Sequence, residues 1–426
     1  MKKRLLLAVS LLAVLCLLTG CMSSDGLTAL EGLFRSTAPA QTGTSSFGGS
    51  GLNQDTVVVS RAEYERLLQF SELADLMDYI NEGFYQDADP EKMLEYAAKG
   101  LMQALDDPYS FYYNPEEWKE MWEEDEGNYV GIGVLINGNY STQICSISRV
   151  FKGSPAEEAG VQRGDIIYRV GEDLYMTADN MSEIVSDYIR GQEGTDVEIT
   201  FIRDGEEITL SIPRRQITVN QVESKMLNDQ VGYIAMYEFS GKSDTEFKEA
   251  LDSLTNEGAK GLIIDLRDNP GGWVNQAAAI CDLFLDAGEV CYLVYKDGEE
   301  SHGEYVTYDG KVDMQLVILI NENSASSSEI LTGALQDRAG ATVVGMQSFG
   351  KGIVQIVSDI GSKGAGFQMT VASYYTPNGR AVHKIGITPD VEVPLPEGDN
   401  GMYDFADVEK DVQLQKALEV MMEKLQ

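Results

Sequence analysis

Apolar and polar positions follow different rhythms along this chain. Between residues 60 and 124, Leu67, Leu68, Phe70, Leu73, Leu76 and Met77 recur at helical spacing. That spacing predicts helices with a buried apolar stripe. Asp106-Asp107-Pro108-Tyr109-Ser110 breaks the pattern as a turn. The aromatic residues after it, Phe111, Tyr112, Tyr113, Trp118 and Trp122, are expected to pack between domains. From 128 to 213 the rhythm shortens to β-rich runs at 129–136, 144–150, 165–170, 196–203 and 206–212, with one helical stretch at 178–190. Arg203-Asp204-Gly205-Glu206 reads as a hairpin turn.

From 216 to 395, apolar runs at 231–236, 261–266, 315–320 and 341–344 alternate with helical patterns at 245–256, 274–285 and 327–338. This alternation predicts an α/β core. Residues 407–425 read as an amphipathic helix, and 22–58, rich in Ser, Gly, Thr and Ala, as a linker.

Charge narrows the partners. Thirty-two basic residues against 69 acidic ones give −37. A nucleic-acid partner is excluded, because phosphate binding needs a basic face. The acid excess reads as a solvated surface. The two histidines, His302 and His383, exclude a multi-histidine metal site and limit any Ser-His-Asp triad to two candidates. Cys145, Cys281 and Cys291 have no metal spacing and read as small core residues. A Cys281–Cys291 bridge stays open. No metal or cofactor is expected.

At the N-terminus, Lys2, Lys3 and Arg4 precede an apolar run, 5–18, too short to span a bilayer comfortably. Leu18-Thr19-Gly20-Cys21 resembles a bacterial lipoprotein lipobox. The resemblance implies cleavage before Cys21, diacylation of its sulfur and a place on the extracytoplasmic face of a bacterial membrane. Loss of 1–20 leaves a body of about −40 that an anionic bilayer repels, so the lipid must hold it.

Residues 128–213 resemble a PDZ domain through Val130-Gly131-Ile132-Gly133-Val134, Gly153-Ser154-Pro155-Ala156, Ala159-Gly160-Val161 and Gly164-Asp165. The glycines let consecutive N–H groups converge on a carboxylate. The strand after them offers an edge to an extended peptide. A β-module without a ligand is the plainer reading of the same residues.

Three further segments carry chemistry, and each alone has a plain structural explanation. Asp265-Leu266-Arg267-Asp268-Asn269-Pro270-Gly271-Gly272 ends a buried run in a glycine turn whose N–H groups suit an oxyanion; it is equally a strand-to-helix connection with Asp265 and Arg267 paired. Ser324-Ala325-Ser326-Ser327-Ser328-Glu329 opens a helix whose N-terminus suits developing negative charge; Ser326 and Glu329 also match a capping box. In Ser348-Phe349-Gly350-Lys351-Gly352-Ile353-Val354-Gln355, an extended backbone puts Lys351, Ile353 and Gln355 on one face, where the Gln355 amide oxygen could orient the amine. A phosphate loop is rejected there because position 352 is Gly, where a Ser or Thr is needed.

Together with Tyr374-Tyr375-Thr376-Pro377-Asn378-Gly379-Arg380 and Gly386-Ile387-Thr388-Pro389-Asp390, these segments resemble the C-terminal processing peptidases, or tail-specific serine proteases. The resemblance runs from about residue 65 to the end. It implies an α/β, crotonase-like peptidase core with an inserted PDZ domain and a helical N-terminal region. The expected divisions are a signal peptide (1–20), a linker (21–59), the helical region (60–126), the PDZ domain (127–215), the core (216–395) and a C-terminal helical segment (396–426).

By motif position the resemblance makes Ser326 the nucleophile, Lys351 the base and Gln355 its support, with oxyanion donors at Gly271 and Ser327. It implies protein substrates with accessible C-termini. The family usually has Ala at position 327, so three adjacent serines compete on chemistry alone. A non-catalytic PDZ adaptor and a Ser-His hydrolase using His383 are the rival readings. A homo-oligomer or a regulatory partner stays open.

Overall fold

The computed structural model describes residues 57–125, 128–139, 142–308, 312–396, 401, 403 and 405–426. The expected signal peptide, Cys21 and nearly all of the linker lie outside the described residues.

Helices α1 (Arg61–Leu68), α2 (Ser71–Gly83) and α3 (Pro90–Gln103) form where the periodicity places them. Ser60 caps α1, and Asp89 caps α3 with Pro90 in the first turn. Their burial differs from expectation. No residue of the three helices is buried, and Leu76 is 55% exposed. Periodicity encodes an apolar face, but among the described residues these faces are only partly covered, α3 lying against β1.

Strand β1 (Phe111–Tyr113) and helix α4 (Pro115–Asp125) make the buried contact that α1–α3 lack. The buried Trp118 donates its indole N–H to Asp359 at 2.8 Å, and lies so close to Gly366 that a Cβ there would come within 2.2 Å of its ring. Trp122 stacks on Trp273 with centroids 5.7 Å apart. The aromatic run therefore packs between regions, as its sequence suggests.

The following module holds β2 (Asn128–Gly131), β3 (Val134–Asn139), β4 (Ile144–Val150), α5 (Pro155–Ala159), β5 (Ile166–Val170), β6 (Leu174–Tyr175), α6 (Met181–Ile184), β7 (Asp196–Arg203), β8 (Glu206–Pro213) and β9 (Arg215–Thr218). One sheet runs β3-β4-β5-β7-β8, with β6 on β5, and β2 pairs separately with β9. Asp204 and Gly205 both take positive φ, 53° and 83°, so the β7–β8 hairpin closes as read from the sequence. Strand β3 is an edge, and Ile147, Ile167, Ile199 and Phe201 fill the module's own core.

The last region supplies β10 (Val222–Met226), β11 (Val231–Met236), α7 (Ser243–Asn256), β12 (Gly261–Asp265), α8 (Val274–Asp282), β13 (Gly288–Tyr295), β14 (Glu300–Thr307), β15 (Gln315–Ile320), α9 (Ser327–Ala339), β16 (Thr342–Gly345), β17 (Ile353–Ile360), β18 (Ala365–Tyr375), β19 (Val391–Glu392) and α10 (Val412–Lys424). A sheet of order β10-β11-β12-β15-β16-β19 is parallel from β11 onward. Its central strands, β11, β12 and β15, are largely apolar on both faces, as strands covered on both sides must be. Leu262, Ile264, Ile318 and Val343 face a core shared with α7, α8 and α9, while Ile263, Val317 and Val344 face Leu414, Ala417 and Met421 of α10.

A second sheet, β1-β18-β13-β14 with β17 on β18, is antiparallel and adds Leu293, Val354, Ala372 and Tyr374 to the first of these cores. The apolar patterning did not announce it, because its strands mix buried and half-exposed positions irregularly.

Two structural readings hold. Asp265 and Arg267 are an ion pair at 2.6 Å, and Arg267 also reaches Asp411 at 2.7 Å, pinning α10 to the sheet. Cys145, Cys281 and Cys291 are buried free thiols.

Candidate active site

The nucleophile candidate stands where β15 gives way to α9. Ser326 caps the helix from a backbone of φ 54° and ψ −116°, a conformation that costs energy for any residue other than glycine. Its main chain is held at both ends. The N–H donates to Glu329 Oε2 at 2.9 Å, and the carbonyl accepts from the Tyr374 hydroxyl at 3.1 Å and from the N–H groups of Glu329 and Ile330. Cap and elbow are thus one residue rather than alternatives.

The neighbouring serines are committed elsewhere. Ser327 Oγ donates to the Gly272 carbonyl at 2.7 Å and Ser328 Oγ to the Asn269 carbonyl at 2.9 Å. Of the three, only Ser326 has no hydroxyl bond to a main-chain carbonyl among the described residues.

Glu329 reaches further. Its Oε1 accepts from Ser348 Oγ at 2.5 Å and from Gly350 N at 2.7 Å, and its Oε2 from Lys351 N at 2.8 Å as well as from Ser326 N. One buried carboxylate therefore fixes the backbones of Ser326 and Lys351 together. Burial pushes its pKa above the usual carboxylate range, although all four donors pull the other way. The Ser-x-x-Glu signature was visible as a capping box; the second grip, on residues 348–351, depends on a loop that only folding brings there.

Lys351 is 1% exposed, and its Nζ lies 4.7 Å from the centroid of the Tyr109 ring. Gln355, buried in β17, donates Nε2 to Thr370 Oγ1 at 3.0 Å, while its Oε1 has no hydrogen-bond partner. The expected bond from the lysine amine to this oxygen is therefore not formed here. A bulge between Val354 and Gln355 breaks the simple alternation on which that expectation rested.

Gly271 packs directly on the elbow. A Cβ at this position would lie 2.7 Å from Ser326 Cβ, 2.8 Å from the Ala325 carbonyl oxygen and 2.9 Å from Ser327 N, and φ is +108°. Only glycine allows that approach. Its N–H donates to Asn269 Oδ1 at 2.9 Å in this structure.

The PDZ-type residues occupy other elements. Val130 and Gly131 pair with Gln216 and Arg215 in the β2–β9 ladder, Ile132 is buried, and Gly133 turns with φ +82° against Ser154. A cleft of about 150 Å³ opens beside this turn, lined by Gly153, Ser154, Pro155 and Arg215 among others.

The alternative base is poorly placed for a triad. His383 Nδ1 is buried without a hydrogen-bond partner, so no group orients the ring as a Ser-His base requires. Burial, and then Lys384, holds its pKa below the ordinary imidazole value, against Asp107. His302 lies on the exposed face of β14 with Glu289 and Glu300. Among the described residues no group of three or more His, Cys, Asp or Glu side chains could hold a metal.

Residues 230–393 match the model of peptidase family S41, 146–203 that of a PDZ domain, and 42–117 that of the activating protease CtpB N-terminal domain. The carboxy-terminal processing protease CtpA of Bacillus subtilis (strain 168) is 36% identical over 77% of this chain and 70% of its own length. A carboxy-terminal-processing protease of Bartonella bacilliformis is 33% identical over 80% of this chain and 79% of its own. Among solved structures, a photosystem II D1 C-terminal processing protease superposes with a TM-score of 0.52 at 25% identity, covering 80% of this chain and 96% of that one. A putative S41 protease from Bacteroides fragilis NCTC 9343 shares the fold, with a TM-score of 0.56 at 17% identity over 80% of this chain and 92% of that one.

Proposed function

The chain belongs to the carboxy-terminal processing proteases of peptidase family S41, serine peptidases with a PDZ domain, and from that footing we propose the chemistry its residues perform. Ser326 Oγ attacks the scissile carbonyl, and Lys351, as a neutral amine, takes the hydroxyl proton and returns it to the leaving amine. Water then hydrolyses the serine ester, with the same lysine as base. No cofactor enters this scheme.

The observation that carries this reading is the Glu329 carboxylate, which accepts from the main-chain N–H of both Ser326 and Lys351. A lysine is a base only when neutral, and its ordinary pKa is about 10.4. Burial favours the neutral form, and Lys351 is buried. Gln355 is assigned to orient the amine when a substrate is bound, since its Oε1 is an unused acceptor. The oxyanion donors are Ser327 N–H and Gly271 N–H, the latter exchanging Asn269 Oδ1 for the substrate oxygen.

The PDZ domain captures substrate C-termini at Val130-Gly131-Ile132-Gly133, with the β3 edge receiving the tail as an added strand. The parallel sheet, flanked by α7–α9 on one face and α10 on the other, supports a crotonase-like description of the core. A lipid on Cys21 tethers the body to the extracytoplasmic face of a bacterial membrane.

Lys351→Ala tests the dyad. Cleavage of a tailed peptide is expected to disappear while tail binding persists; undiminished cleavage would sink the assignment. Cys21→Ser is expected to move the protein from the membrane to the soluble fraction, and an unchanged distribution would remove the lipid anchor.

A further inference from the structure

The N-terminal region contributes the Tyr109 side chain to the Lys351 environment, and nothing in the dyad chemistry accounts for it. Tyr109 belongs to the turn between α3 and β1, yet its ring lies over Lys351 Nζ at 4.7 Å from the centroid. The turn is stitched in place at several points. Gln368 Nε2 donates to the Tyr109 carbonyl at 3.1 Å, and Thr370 N donates to Ser110 Oγ, also at 3.1 Å. Ser110 Oγ in turn donates to Asp107 Oδ2 at 2.5 Å, and Phe111 opens the β1–β18 pairing opposite Gln368. Thr370 also accepts from Gln355. The strand that supports Gln355 therefore fixes the height of the Tyr109 ring above the lysine.

We propose that Tyr109 is a positioning residue for Lys351, its ring closing off the amine from water and setting where Nζ rests before substrate arrives. This rests on the reading of Lys351 as the base. The phenol takes no proton itself. Burial, and then Asp107 and Glu329, pushes its pKa above the ordinary tyrosine value, so the hydroxyl stays neutral in the working range. What acts is the ring. Its face attracts an ammonium, which favours the charged form, but its bulk removes water, which disfavours that form more strongly. Among the described residues, ionisable groups close to this part of the site include Glu329 from α9, which holds the Lys351 main-chain N–H, Asp107 from the same turn as Tyr109, Tyr374 from β18, and His383 with Lys384 from the segment packed on Gly352. The Tyr109 ring is the aromatic face that lies over the amine.

The test is the pH dependence of kcat and kcat/KM on a tailed peptide for the full chain and its Tyr109→Phe, Tyr109→Ala and Tyr109→Gln variants. Tyr109→Phe keeps the ring and is expected to match the parent. Tyr109→Ala admits water, so the acid limb moves to higher pH by about one unit, and kcat at neutral pH falls with KM unchanged. Tyr109→Gln, polar and of similar reach, moves the limb the same way and serves if the alanine variant fails to fold. A limb that stays in place in both variants, with activity lost only in proportion to folded protein, overturns the proposal. Lys351→Ala, run alongside, separates the two ideas. If it is inactive and the limb is unmoved in the Tyr109 variants, Tyr109 alone loses its role; if it still cleaves, the dyad falls as well.

Discussion

Helices α2 and α9 are both 13 residues long, and their sequences point the wrong way about their fates. Helix α2 carries a clean apolar stripe, yet none of its residues is buried. Helix α9 begins Ser-Ser-Glu and holds Thr and Gly among its apolar residues, yet every residue from Ser327 to Leu335 is buried. Its polar groups are tolerated because each is spent: Ser327 on Gly272, Ser328 on Asn269, Thr332 on the Ser328 carbonyl, and Glu329 on four donors. An apolar stripe shows which face wants cover, but where a helix is threaded decides whether cover exists.

The sharpest way to break this contrast is to test how tightly the N-terminus of α9 is enclosed. Gly271→Ala puts a methyl within 2.9 Å of Ser326, Ala325 and Ser327, and peptide cleavage is expected to fall by about 100-fold or more. Near-parental kcat would mean the elbow has slack. Glu329→Gln keeps the shape but halves the acceptor capacity facing four donors. A loss of roughly 2–3 kcal/mol in urea unfolding is expected, with kcat reduced about tenfold, a drop equivalent to about 1.4 kcal/mol. A variant as stable and active as the parent would show that the carboxylate is not the clamp.

Truncation compares the two helices directly. Leu331→Ala, in α9, is expected to cost about 2–5 kcal/mol, the range for a filled core. Leu76→Ala, in α2, is expected to cost under about 0.5 kcal/mol. Equal costs by denaturant melts would mean that something covers the α2 face in solution.

The smallest effect concerns pH. Because burial raises the folded-state pKa of Glu329, its ionisation opposes folding at neutral pH, and this cost is relieved as pH falls through that pKa. The parent's Tm should therefore gain on that of Glu329→Gln between pH 7 and pH 5, by about 1 °C or a few degrees. A gap that moves the other way would mean the four donors outweigh burial.

The sequence names the candidate site residues before folding is considered. Ser326, Lys351 and Gln355 lie on long ordered motifs, and the structure brings the first two onto one carboxylate. Less legible was the commitment of Ser327 and Ser328, which is set by carbonyls at 272 and 269 more than fifty residues away. The Gln355 geometry was misjudged because a bulge leaves no mark in the residue pattern. Tyr109 read as part of a turn, and its place over Lys351 follows from the β1–β18 register.

The sequence by itself determined the local elements. Runs of β-branched residues made the parallel strands, Asp204-Gly205 closed its hairpin, Ser60 and Asp89 began their helices, and the motif order named the family. These follow from short-range propensity and patterning, which a linear chain carries within itself. Only the tertiary structure decided which apolar faces are covered, which of three serines keeps its hydroxyl off a main-chain carbonyl, and that Glu329 ties Ser326 to Lys351. Those outcomes depend on hydrogen bonds and packing between segments remote in sequence, where the alternative for a buried donor is no partner at all.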